Sequence, residues 1–133
     1  MSLNIQKVNP PSLPDAPAMG YSQIAVAGPG RQVFMSGQVA WTPDGAPVPE
    51  SLHDQARIAM GNAIKGLAAI DAGPQNITSI RMYIANPSPE DFYSVAPDLS
   101  EFMDGNPTTF TALGVTALGG EELKIELEVT AVI

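Results

Sequence analysis

Two stretches of the sequence place polar side chains where they could do chemistry. In the run from Arg31 to Ala40, the residues Val33, Phe34 and Met35 are apolar in succession, which predicts a strand covered on both faces. Ser36 sets a hydroxyl at the edge of that run, and Gly37 removes the side chain that would keep another group away. This pairing suits a small-molecule pocket, and it equally suits a plain β-bulge. The second stretch is Leu123 to Ile133, where Glu126 and Glu128 share the polar side of an alternating strand. Such glutamates are either exposed or ion-paired surface groups, or carboxylates available for proton transfer. The chain has no cysteine and one histidine, His53, expected in solvent in the first turn of a helix. A thiol nucleophile is excluded, and the ligand set for a transition metal is missing.

Composition narrows the partners. With 133 residues the chain fits one domain, 1–133, able to bury about two-thirds of its unfolded surface. Its net charge of −8, with six basic residues scattered singly, gives no cationic cluster for nucleic acid or anionic membranes. No apolar run is long enough to cross a bilayer, and the start does not read as a signal peptide, so a cytoplasmic location is expected. Hydrophobic residues make up 44% and charged ones only 15%, a surface short of charge that fits self-association.

The elements that must position these side chains follow from periodicity. Residues 1–19 carry four prolines, including Pro10-Pro11, and predict an extended lead-in without regular structure. Tyr21 to Ala27, turning at Gly28-Pro29-Gly30 into the next run, predicts a hairpin. Pro43-Asp44-Gly45 is a turn, with a short extra strand conceivable at Ala46 to Val48. Ser51 opens a helix over Leu52 to Ala72, with Asp54 completing the cap and Gly73-Pro74 ending it, Gly73 as the left-handed residue. Ile77 to Ala85 alternates as a strand. A second helix begins at Ser88-Pro89 and meets Pro97, which predicts a kink or split there. Thr108 to Ala117 and Leu123 to Ile133 close the chain as strands around a turn at Gly119-Gly120. The order is β-β-α-β-α-β-β.

Several stretches together resemble the Rid family, the reactive intermediate deaminases also called YjgF or L-PSP. They are Gly20-Tyr21-Ser22-Gln23, Val33 to Val39, the helix end Ala69 to Gly73, Asp91-Phe92, Pro107 ahead of a strand, and Ile125 to Glu128. The resemblance implies an α+β domain similar to the Bacillus-type chorismate mutase fold, with two helices packed on one face of a mixed sheet. It also implies a barrel-like homotrimer with small-molecule ligands in the clefts between subunits. Members hydrolyse the imine or enamine of a 2-amino acid to a 2-keto acid and ammonia, with no metal and no cofactor.

Carried over residue by residue, the resemblance puts Tyr21, Ser36 and Glu126 at the family's pocket tyrosine, serine and glutamate, with Gly37 beside the serine. The family arginine that grips the substrate carboxylate is replaced by Thr109, in Pro107-Thr108-Thr109-Phe110-Thr111. The usual asparagine of the second helix becomes Ala96. Losing that arginine removes a charge-assisted pair of ~1.5 to 3 kcal/mol, so the standard 2-imino acid is a doubtful substrate. Thr109 and Thr111 offer neutral hydrogen bonds instead, or are simply strand threonines. Trp41 either walls the cleft or fills an interface. Arg81 either reaches a neighbour's cleft or sits in a surface ion pair. Two functions remain open: a divergent imine or enamine hydrolase using Glu126, and a non-catalytic trimer that binds a small molecule or regulates a partner. Ribonuclease activity is disfavoured by the negative charge and the single histidine.

Overall fold

The four-stranded sheet at the centre of the molecule takes its order from the most regularly alternating segment of the chain. The computed structural model describes residues 5–133. Its strands are β1 (Ile5–Val8), β2 (Ile24–Ala27), β3 (Gln32–Gln38), β4 (Ile77–Ala85), β5 (Thr109–Val115) and β6 (Ile125–Val132). The α-helices are α1 (Leu52–Ala68), α2 (Pro89–Ser94) and α3 (Ala96–Met103), with 3-10 turns at Pro17–Met19 and Pro74–Asn76. The strand order is β3-β6-β4-β5, antiparallel except for the parallel β4–β5 pair. In β6 the residues Ile125, Leu127, Val129 and Ala131 are buried, while Glu126, Glu128 and Thr130 point to the other face. The period-2 pattern therefore sorts this strand between a core and an open side.

On the core side, α1 lays Ala56, Met60, Ala63 and Leu67 against β6 and β3, and α3 adds Leu99, Phe102 and Met103. Ser51 caps α1 by accepting the Asp54 N–H at 2.9 Å. The helix stops at Ala68, four residues short of the expected end. Asp71, at φ 57°, rather than Gly73, at φ −154°, is the left-handed residue. The buried amide of Gln55 ties the N-terminal half of α1 to the loops, donating to Pro49 O and Glu122 O and accepting from Lys124 N. Pro97 splits the second helical segment as its chemistry requires: α2 ends at Ser94 and α3 restarts with Pro97 in its first turn.

Four expectations are corrected. Of the lead-in, residues 1–4 lie outside the described residues, but Ile5–Val8 is a strand, and it pairs antiparallel with β2. The predicted hairpin between the 21–27 and 31–40 segments does not form, because β2 spends its backbone groups on β1 while β3 pairs with β6. Residues 46–48 form no strand. Finally, β3 is an edge strand covered on one face, with Met35 against the core and Phe34 76% exposed on the other. His53 is exposed, as expected, and it also makes a contact. Its Nδ1 lies 2.8 Å from the buried carboxylate of Asp98, linking α1 to α3. Among the described residues no helix is long and apolar enough to cross a membrane.

Candidate functional site

The β3–β6 ladder slips by one residue between Met35 and Gln38, which pair with Val129 and Leu127 respectively. Ser36-Gly37 is thus a β-bulge, and the bulge also makes a recess. The carboxyl group of Glu126 lies directly over Gly37: a Cβ there would overlap it, standing 2.5 Å from the carboxyl carbon and 2.9 Å from Cγ. A side chain at position 37 would displace the Glu126 carboxyl group from this place. The recess has a volume of about 200 Å³ and is lined by Gly37, Gln38, Trp41, Asn62, Gly119 and Glu126, among others. Asn62 spends its amide on Val39 O and Trp41 O, at 3.0 and 2.8 Å, which fixes the recess wall to α1. Trp41 donates its indole N–H to Glu122 at 3.1 Å, and the Glu122 carboxyl is held low by its own backbone N–H and by that indole.

The open face of the sheet holds the next group. Cross-strand pairing sets Glu126 beside Tyr83, and Tyr83 beside Leu113; one row on, Glu128, Arg81 and Thr111 lie side by side. The Tyr83 hydroxyl donates to Glu128 at 2.8 Å, and this bond, with desolvation adding to it, pushes its ionisation up. Arg81 is exposed between Glu128 and Thr111. Thr109 is half-buried, and its hydroxyl proton is committed to Thr78 O at 2.7 Å. A hydroxyl has one proton, so Thr109 can only accept from a ligand. Thr111 is exposed.

Tyr21 and Ala96 belong to a third place. They line a hollow of about 600 Å³ between β5, α2 and α3, walled also by Phe92, Leu99, Met103 and Phe110. The Tyr21 and Phe110 rings are 6.4 Å apart at 59°, a tilted aromatic contact. With alanine where the family pattern has asparagine, this hollow is mainly apolar, its polar lining coming from Tyr21, Tyr93 and Ser100.

The sequence-derived residues therefore fall into separate groups within one chain. Ser36, Gly37, Trp41 and Glu126 are gathered at the bulge, and Tyr21 and Ala96 at the hollow. Thr109 and Thr111 lie on β5, two strands from β6. Glu126 and Thr109 are two strand spacings apart sideways and four residues apart along the strand, about 16 Å in all. Both cannot touch one small substrate from the same chain. Sequence reasoning missed the Gly37–Glu126 contact, whose partners are brought together only by strand register, and it missed Lys7. The Lys7 amine sits half-buried on β1 and donates to Pro107 O at 2.6 Å. Its place in the proline-rich lead-in hid it.

The comparisons agree with this architecture. A family model described as endoribonuclease L-PSP matches residues 13–133. A Rid-family protein of unknown function from Yersinia pestis, YyfB, superimposes with a TM-score of 0.92 at 30% identity, covering 98% of this chain and 99% of its own. Yeast Mmf1 does so with a TM-score of 0.69 at 25% identity over 97% and 98% of the two chains. E. coli TdcF, in a structure with bound serine, gives 0.69 at 25% identity over 81% and 91%. No curated protein matches the chain. A matched span from residue 13 to the last residue, over a sheet whose bulged edge strand seats a glutamate, places this chain in the Rid (YjgF/L-PSP) family.

Proposed function

We propose that this protein is a metal-free, cofactor-free hydrolase of small imines or enamines, working in clefts between the subunits of a barrel-like homotrimer. The observation that carries the reading is the Glu126 carboxylate seated over Gly37 at the mouth of a recess. In this reaction Glu126 orients a water against the C=N carbon and takes its proton as the C–O bond forms. It then returns that proton to nitrogen, which already carries the proton of the protonated imine, and takes the carbinolamine hydroxyl proton as the C–N bond breaks, leaving a carbonyl compound and ammonia, with this last proton passing to solvent. The separation of Glu126 from Thr109 and Tyr21 fits a cleft in which one subunit offers the bulge and its neighbour offers the β5 edge. The exposed Phe34 and Leu113 on the open sheet face fit burial in such an assembly. The serine in TdcF supports a ligand of amino-acid size.

Thr109 supplies no charge and no free proton, so the carboxylate of a 2-imino acid has no anchor there. That favours a second reading, a trimer that binds a small carbonyl-bearing or neutral molecule without turning it over. Ammonia release from freshly generated 2-iminobutanoate separates the two. Catalysis requires a rate above the uncatalysed background and a fall of at least ~100-fold in Glu126→Ala, within the range of acid–base contributions. No rate above background in the unmodified protein leaves the binding reading, and an undiminished Glu126→Ala variant removes Glu126 from the mechanism.

A further inference from the structure

We propose that Lys7 supplies the cationic anchor that Thr109 lacks, making the cavity between β1 and the Gly105–Pro107 loop a subsite for the carboxylate of the ligand. The cavity has a volume of about 570 Å³, in the range of small-molecule sites. Ile5, Lys7 and Asn9 line it from alternate positions of β1 and its continuation, so one face of this strand forms its wall.

The state of Lys7 is what marks the place. In a chain of net charge −8, its side chain is partly withdrawn from water, and among the described residues no carboxylate lies within ion-pair distance of it. Among the described residues its hydrogen-bond partner is a carbonyl, Pro107 O, which also accepts from Ser22 Oγ at 3.2 Å. That bond uses one of the three ammonium protons and aims the group beneath the segment that leads into Thr109. Burial alone pulls its ionisation down, the condition an arriving anion reverses. The remaining polar lining is neutral, including Asn9, Asn106 and Gln75. Tyr21 borders both this cavity and the mainly apolar hollow against α2 and α3. Lys7 precedes residues 13–133, the span matched by the family model.

The subsite rests on the cleft reading only for the remainder of the ligand. Calorimetric binding of 2-oxobutanoate, a stable product-like carboxylate, against its methyl ester tests the anion contact. The unmodified protein should prefer the acid. Lys7→Gln should weaken the acid ~10- to 150-fold and leave the ester unchanged, and Lys7→Arg should keep most of the preference. Because Lys7 also ties β1 to the loop, a variant-free arm accompanies it: 2-oxobutanoate, but not the ester, should protect Lys7 of the unmodified protein from reductive methylation. Equal binding of acid and ester, unchanged binding in Lys7→Gln, or absent protection overturns the proposal. The two readings fail separately. Lys7-dependent binding without ammonia release leaves the anchor and ends the hydrolase, whereas Glu126-dependent turnover with an unaltered KM in Lys7→Gln does the reverse.

Discussion

The two faces of β6 differ in how complete they are. On one, Ile125, Leu127 and Val129 are each 1% exposed beneath α1 and α3, so a single chain finishes the packing. On the other, Glu126, Glu128 and Thr130 share an open surface with Arg81, Tyr83 and the 76% exposed ring of Phe34. The helix-covered face makes the fold. The open face carries polar chemistry and apolar area side by side, an arrangement that a single chain does not finish and a second copy could.

The largest effect that would sharpen this contrast is on the closed face. Leu127→Ala should cost ~2 to 5 kcal/mol in urea unfolding, since the helices cannot collapse fully onto the gap. Gln55→Ala comes next. It strands two loop carbonyls and the Lys124 N–H, and should cost at least ~2 kcal/mol by the same measurement. On the open face, Phe34→Thr keeps the strand preference and should change the unfolding of the dilute chain by less than ~0.5 kcal/mol. It should still loosen the proposed self-association in sedimentation velocity by the ~1.5 to 3 kcal/mol of one buried ring per copy. A Phe34→Thr variant that unfolds like Leu127→Ala would break the comparison. The smallest effect is at alkaline pH. The folded Tyr83 hydroxyl ionises above its unfolded value, so its contribution is fully present below about pH 10 and is lost as the pH climbs through the folded value. Tyr83→Phe should remove the latest component of the tyrosinate absorbance titration and flatten that alkaline decline.

Much of the closed face was legible in the sequence. The β4 bounds, the Ser51 cap, the break at Pro97 and the alternation of β6 are all local signals, set by residues within one or two turns of each other. What failed depended on distant partners. Whether Ile24 to Ala27 pairs forward or backward is decided by the competition between β1 and β3, which no local pattern encodes. Successive apolar residues at Val33 to Met35 look alike in a strand covered by helices on both sides and in an edge strand with one open face. At the site, the residue types Glu126, Gly37 and Tyr21 were readable, but their grouping was not. Residues 37 and 126 meet through strand register, and Thr109 lost its free proton to Thr78 O through the β4–β5 pairing.

The slip at Ser36-Gly37 also bears on how the molecule behaves in a crowded solution. An unbroken outer strand is a template onto which a foreign backbone can zip. The irregularity interrupts the row of free amides and carbonyls partway along and bends the margin out of line. The same glycine that makes room for a carboxylate thus also hinders unwanted fibre growth from this border.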